Sequence, residues 1–262
     1  MTNLLATEHG VDLEYLVTGA GDPVTVFAHG LGNDIAETRP LGSGVVGRRV
    51  FFQFRGHGRS GAPSGRWTYA DLARDLLTVA DATGASRAVG ASLGAGAMCR
   101  LLADDPARFD RVVAFLPAVL DTPRPEASRT RLMRMLAAIE SHDGPTVATL
   151  LADRIPAAMR DTPSASAYIR RRVAALMDGG VAAGIASLPD EVAVDNRHSL
   201  AAVTAEALVI ACRGDSVHPV EVAEQLAEVL PKATLHVYDS PGVVWTERAD
   251  LRNRIAGFLN AA

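Results

Sequence analysis

The 262-residue sequence predicts an α/β domain, a mostly parallel sheet with helices on both faces. Three observations predict it. Short, largely apolar runs recur at residues 24–28, 50–54, 111–116 and 207–212, the pattern of strands buried on both faces. Helical stretches alternate with several of these runs, which calls for parallel strands joined by crossovers. The apolar runs also end repeatedly in glycine-rich loops.

Taken in order, residues 7–17 read as two short strands joined through His9-Gly10, followed by the turn cluster 18–23. The run 24–28 leads into His29-Gly30-Leu31-Gly32, and the run 50–54 into Arg55-Gly56-His57-Gly58-Arg59-Ser60. Residues 69–83 place Leu72, Leu76, Val79 and Ala80 on one helical face, with Thr68 as N-cap. A strand over 86–89 and a helix from Ala95 follow, then the strand 111–116.

The rhythm breaks at Pro117. From Asp121 to Ser199 the pattern is helical, punctuated by six prolines, without a convincing strand. Its Arg170-Arg171-Arg172 run is read as a solvated helix face, with binding of an anionic group as the sharper alternative. The α/β rhythm resumes at residues 207–212. A helix is expected from Val220 to Leu230, a last strand at 233–238 and a last helix at 248–259. The expected division is a core over residues 1–120, a helical insertion over 121–199 and the rest of the core over 200–262.

Hydrophobic residues make up 48% and charged residues 21%, the profile of a soluble globular protein. A net charge of −4 without a long basic block argues against nucleic acid or an anionic membrane as partner. No apolar run is long enough to span a bilayer, and no signal peptide is visible, so a cytoplasmic location is expected. Cys99 and Cys212 lie in apolar stretches and read as buried thiols. The seven histidines are scattered without metal-ligand spacing, and no nucleotide-binding fingerprint appears, so no metal or cofactor is expected. The expected partner is a small-molecule substrate or ligand.

Gly90-Ala91-Ser92-Leu93-Gly94 has the form G-x-S-x-G between a strand and a helix. In such an elbow the strand enters and the helix leaves past small residues. The serine is held out at the top of the sheet, at the positive end of a helix.

These features together resemble the α/β-hydrolase superfamily: the His-Gly-Leu-Gly loop, the Arg-Gly-His-Gly-Arg-Ser loop, the elbow, and Gly214-Asp215 with Pro219 after a late strand. The resemblance covers nearly the whole chain. It implies an eight-stranded, mostly parallel sheet flanked by helices, with a helical cap inserted after the sixth strand. It implies Ser92 as nucleophile, Asp215 as triad acid, and the backbone N–H groups of Leu31 and Leu93 as an oxyanion hole. His29, Gly30 and Trp245 are expected against the substrate, with His29 and His57 chiefly tying loops together.

One departure matters. Aligned on Gly242, the position of the family's catalytic histidine holds Val243, and no histidine follows His236. Valine cannot shuttle a proton. His236 lies seven residues earlier in a strand, about 20 Å short of the loop. His218, in the loop of Asp215, is the better substitute, although capping of the helix beginning near Pro219 is the simpler role for it. His142, His198 and Glu247 are further candidates.

Two kinds of function follow. One is an enzyme with a histidine-deficient triad acting on a small apolar ester, thioester or lactone, or a non-hydrolytic cyclase or lyase on the same fold. The other is an inactive pseudo-hydrolase that binds a small molecule or a partner. On these residues, Ser92 should label slowly or not at all with a fluorophosphonate, and Val243→His tests the site. A gain of esterase activity would make the missing histidine the defect, and no change would mean that the pocket or oxyanion hole has also diverged.

Overall fold

The structure, a computed structural model, describes residues 2–178 and 180–261. Eight strands form one sheet: β1 (Asn3–Leu5), β2 (Leu13–Thr18), β3 (Val24–Ala28), β4 (Arg48–Phe52), β5 (Arg87–Ala91), β6 (Arg111–Phe115), β7 (Glu206–Cys212) and β8 (Ala233–Tyr238). Their spatial order is β1-β2-β4-β3-β5-β6-β7-β8. The pairs β1–β2 and β2–β4 are antiparallel, and every pairing from β4 onward is parallel. Every residue of β3 is buried, as a parallel strand covered on both faces requires.

The helices in chain order are α1 (Ile35–Thr38), α2 (Tyr69–Thr83), α3 (Leu93–Asp104), α4 (Glu126–Glu140), α5 (Gly144–Ala152), α6 (Pro163–Asp178), α7 (Ala182–Ser187), α8 (Val220–Val229), α9 (Val243–Thr246) and α10 (Arg248–Asn260). Residues from α2, α3 and α8 share one core layer with Val26, Val112 and Val209 of the sheet. The opposite layer joins Phe27, Val113 and Ile210 to Leu251, Ile255 and Leu259 of α10. The alternation of Val26 with Phe27 and of Val112 with Val113 is the two-residue period of a strand feeding both layers. Helix α2 starts with the predicted Thr68 cap, completed as a capping box with Asp71, and ends on left-handed Gly84.

Helices α4 to α7 lie between β6 and β7 and share their own apolar cluster, including Leu136, Val147, Leu151 and Leu176. No strand occurs there among the described residues. Among those residues, no helix is long and apolar enough to cross a membrane. Cys99 and Cys212 are buried and free, each thiol pushed up to about 12, chiefly by burial.

Several boundaries differ from the sequence reading: β5 spans Arg87–Ala91 and α3 begins at Leu93, and two strand ends have a visible cause. The first strand lies at Asn3–Leu5, not after Thr7, because Thr7 closes a turn. Its carbonyl accepts the Gly10 N–H, and its hydroxyl donates to the Val11 carbonyl. Strand β4 stops at Phe52, since the Phe54 N–H leaves the ladder to donate to Nε2 of His29.

Candidate active site

The elbow is built by close approach. A Cβ at Gly90 would lie 2.5 Å from the Gly94 carbonyl oxygen, and one at Gly94 would lie 2.4 Å from that of Ala28. Neither backbone can yield, so only glycine lets β5 turn into α3 at this distance. Ser92 sits at the turn with φ 50° and ψ −105°, a conformation an L-residue holds only when its surroundings enforce it. Its N–H donates to the Phe115 carbonyl, and its own carbonyl accepts from Ala95 and Gly96. The side chain is thereby fixed at the carboxyl edge of the sheet, at the start of α3.

His218 faces it. Nε2 of His218 lies 3.0 Å from Ser92 Oγ, and Nδ1 lies 2.7 Å from Asp215 Oδ2. Asp215 Oδ1 accepts the N–H groups of Val217 and His218, which curls the loop so that the imidazole folds back over its own acid. His218 therefore does not cap the following helix. Pro219 is the N-cap of α8, with no side-chain cap bond. Strand β7 is two strands from β5 in the sheet, about 10 Å across, and the curled loop bridges that gap.

His218 is buried. Burial pushes its pKa below the ordinary value of 6.5, the Asp215 hydrogen bond opposes this, and the Arg154 charge adds to the lowering. For Asp215, burial works upward, but the His218 hydrogen bond and the charges of His218 and Arg154 outweigh it. The carboxyl is held well below its usual range. With the acid ionised, Nδ1–H donates to Asp215, and Nε2 is left as the acceptor facing the serine hydroxyl.

Val243 is buried at the first turn of α9, in the apolar layer with Phe115 and Cys212, and the residue is among those lining the cleft. The other histidine candidates lie elsewhere. His142 and His198 are exposed, and His236 stacks edge-on against Tyr238 in β8. Glu247 is exposed, and none of these four lines the cleft.

The expectation that His29 meets substrate is overturned. Its ring is fully buried, with Nδ1 donating to the Gly30 carbonyl and Nε2 accepting from Phe54. His57 has the same arrangement: Nδ1 donates to the Arg55 carbonyl, Nε2 accepts the Gly32 N–H, and its pKa is lowered to about 4, chiefly by burial. The two rings clamp the loop after β3 from beneath. That loop brings Gly30 and Leu31 to the cleft, and Trp245 lines its far side against Tyr168.

The N–H groups of Leu31 and Leu93 donate to no acceptor among the described residues, whereas those of Gly32, Asn33 and Gly94 are all engaged. Leu31 and Leu93 both line the cleft. Ser92 lines the same cleft as these two free donors.

The arginine run on α6 divides by environment, so it is not a uniformly solvated face. Arg170 is exposed. Arg171 pairs with Asp34 and Glu37 of the α1 segment, and buried Arg172 donates to the Asn33 side-chain carbonyl. These bonds tie α6 down onto the loop that carries Leu31. The sequence did not signal that contact, because Asn33 and Arg172 are 139 residues apart.

An elbow serine under a helical insertion, on an eight-stranded sheet of this order, defines a class. The chain belongs to the α/β-hydrolase family, matching the family described as "alpha/beta hydrolase fold" over residues 23–242, and is a hydrolase-type enzyme. It is 30% identical over 274 residues to a Variovorax paradoxus protein named "Putative carbamate hydrolase RutD", covering 94% of this chain and 96% of the relative. Among solved structures it is similar to a hydrolase from Pseudomonas aeruginosa, with a TM-score of 0.80, 26% identity and coverage of 99% and 98% of the two chains. An enol-lactonase from Burkholderia xenovorans shares the fold, with a TM-score of 0.82, 22% identity and coverage of 99% and 100%.

Proposed function

We propose that the protein hydrolyses a small ester, lactone or carbamate through a Ser92–His218–Asp215 triad. In this reading the histidine has moved from the loop after β8 to the acid's own loop. The observation that carries it is the unbroken hydrogen-bonded chain, 2.7 Å from Asp215 to His218 and 3.0 Å from His218 to Ser92. The hydrolase assignment of the family, and the lactone and carbamate named for its relatives, support the class of bond.

The steps follow from the hydrogen-bond directions. Ser92 Oγ–H donates to neutral His218. As Oγ attacks the carbonyl carbon, its proton passes to Nε2, and ionised Asp215 stabilises the imidazolium. The carbonyl oxygen takes up negative charge between the N–H groups of Leu31 and Leu93. The tetrahedral intermediate collapses, His218 returns the proton to the leaving oxygen or nitrogen, and an acyl-Ser92 remains. Water, deprotonated by the same Nε2, then attacks the acyl carbon and releases the acid and free Ser92.

A fluorophosphonate probe tests this reading without knowledge of the substrate. Ser92 should label stoichiometrically within minutes, and Ser92→Ala should abolish labelling. The slow labelling expected from Val243 alone would refute it, since an adjacent imidazole activates the serine.

A further inference from the structure

The cleft over Ser92 encloses about 480 Å³, and the segment between β6 and β7 sends arginines into it. Arg124, Arg131 and Arg154 are the three that act on the catalytic groups. The charges of Arg154 and Arg124 add to burial in lowering the pKa of His218, and the Arg154 charge adds to burial in lowering that of Arg131.

The carboxylates that line the cleft are already engaged. Asp215 holds His218, and Glu37 is paired with Arg171. Asp153 stands 3.8 Å from Arg131, a long pairing whose carboxylate is half exposed. Arg124 and Arg154 have no carboxylate partner among the described residues.

Their other contacts leave donors unused. Arg124 donates from Nη2 to the Tyr69 hydroxyl, while its buried Nε meets no acceptor. Arg154 places Nη2 3.5 Å from Nδ1 of His218, but that nitrogen already donates to Asp215 and has no lone pair to offer. Like charges gathered in one cavity repel, and the buried Nε of Arg124 without an acceptor is costly. A bound anion would relieve both, and a planar carboxylate matches the fork of a guanidinium.

The geometry points to a substrate that carries a carboxylate: an ester, lactone or carbamate whose non-reacting part ends in –COO⁻, held by Arg124, Arg131 and Arg154 beside the scissile carbonyl. This rests on reading Ser92 as the acylated residue. It revises the apolar substrate expected from the sequence. Arg154 is exposed at the cleft mouth, so part of the attraction is screened by salt.

Two 4-nitrophenyl esters of matched acyl length test it: the hexanoate, ending in a methyl group, and the adipate monoester, ending in a carboxylate. The adipate ester should have at least tenfold higher kcat/KM at low ionic strength. That advantage should shrink as sodium chloride is raised and should fall at least tenfold in Arg154→Gln and Arg124→Gln. Taking the ratio of the two esters in each variant removes any general loss of activity. Binding of free adipate against neutral adipamide, by calorimetry on the wild-type protein, gives a readout independent of turnover.

Equal kcat/KM for the two esters with no preference for adipate over adipamide overturns the carboxylate site and leaves the hydrolase reading standing. Failure to cleave either ester, with adipate binding retained and lost in Arg154→Gln, supports the site and refutes the triad reading. A fluorophosphonate-reactive protein that prefers the hexanoate ester overturns the site alone.

Discussion

Replacing His218 by alanine is the perturbation that most directly probes the relocated imidazole. The substitution removes both links of the chain at once, the 2.7 Å bond to Asp215 and the 3.0 Å bond to Ser92. In a comparable serine hydrolase, loss of the triad histidine lowers kcat on the order of 10⁶-fold, or about 8 kcal/mol of transition-state stabilisation at ~1.36 kcal/mol per decade. Asp215 keeps the backbone N–H groups of Val217 and residue 218, so its carboxylate is not left bare. The fold should therefore survive, at a cost of about 1–3 kcal/mol for the emptied buried site. The assay is steady-state hydrolysis of a 4-nitrophenyl ester, with thermal melting as the check on folding. Ser92→Ala and the double variant Ser92→Ala/His218→Ala should be as impaired as His218→Ala alone, because the groups act as one unit. A folded His218→Ala protein that retains more than about one hundredth of wild-type kcat/KM would refute the assignment, because proton transfer by a positioned base is alone worth 10²–10⁴-fold.

Three further outcomes are expected. Val243→His should not raise esterase activity, since Nε2 of His218 already occupies the proton-accepting position. It should lower stability by about 1–3 kcal/mol, measured by urea unfolding, because it sets an imidazole among Phe115 and Cys212. The acid limb of kcat/KM should have its midpoint below 6.5. Burial and Arg154 lower the His218 pKa, and activity is lost only as falling pH protonates the base; a midpoint at or above 7 would contradict the assigned base. Gly94→Ala should destabilise the protein and abolish activity together, because its Cβ would meet the Ala28 carbonyl oxygen at 2.4 Å; an unchanged melting temperature would show that the elbow tolerates a side chain.

Much of the architecture was legible in the residues because local rules and tertiary packing agree. The span Tyr69–Thr83, its Thr68 cap, and the strands Val24–Ala28 and Ala233–Tyr238 stand where their patterns put them. Apolar periodicity and capping are local, and each was reinforced by a core layer on the matching face. The errors fell at chain ends and loop junctions. There a single side-chain acceptor, His29 Nε2 for the Phe54 N–H or the Thr7 hydroxyl for the Val11 N–H, decides where a ladder stops.

The sequence by itself determined the sheet, the elbow around Ser92 and the absence of a histidine at Val243. Only the tertiary structure decided which imidazole meets the serine. An Asp followed three residues later by His suits a helix cap as well as a catalytic pair. The choice depends on the Asx turn at Asp215 and on a partner 126 residues away. The same holds for Arg172, where a run of charges looks uniform in sequence until α6 packs and buries one of them against Asn33. Strand and helix patterns repeat within a few residues and can be read along the chain. A hydrogen bond between distant side chains has no such period, and the direction of each side chain is set by packing.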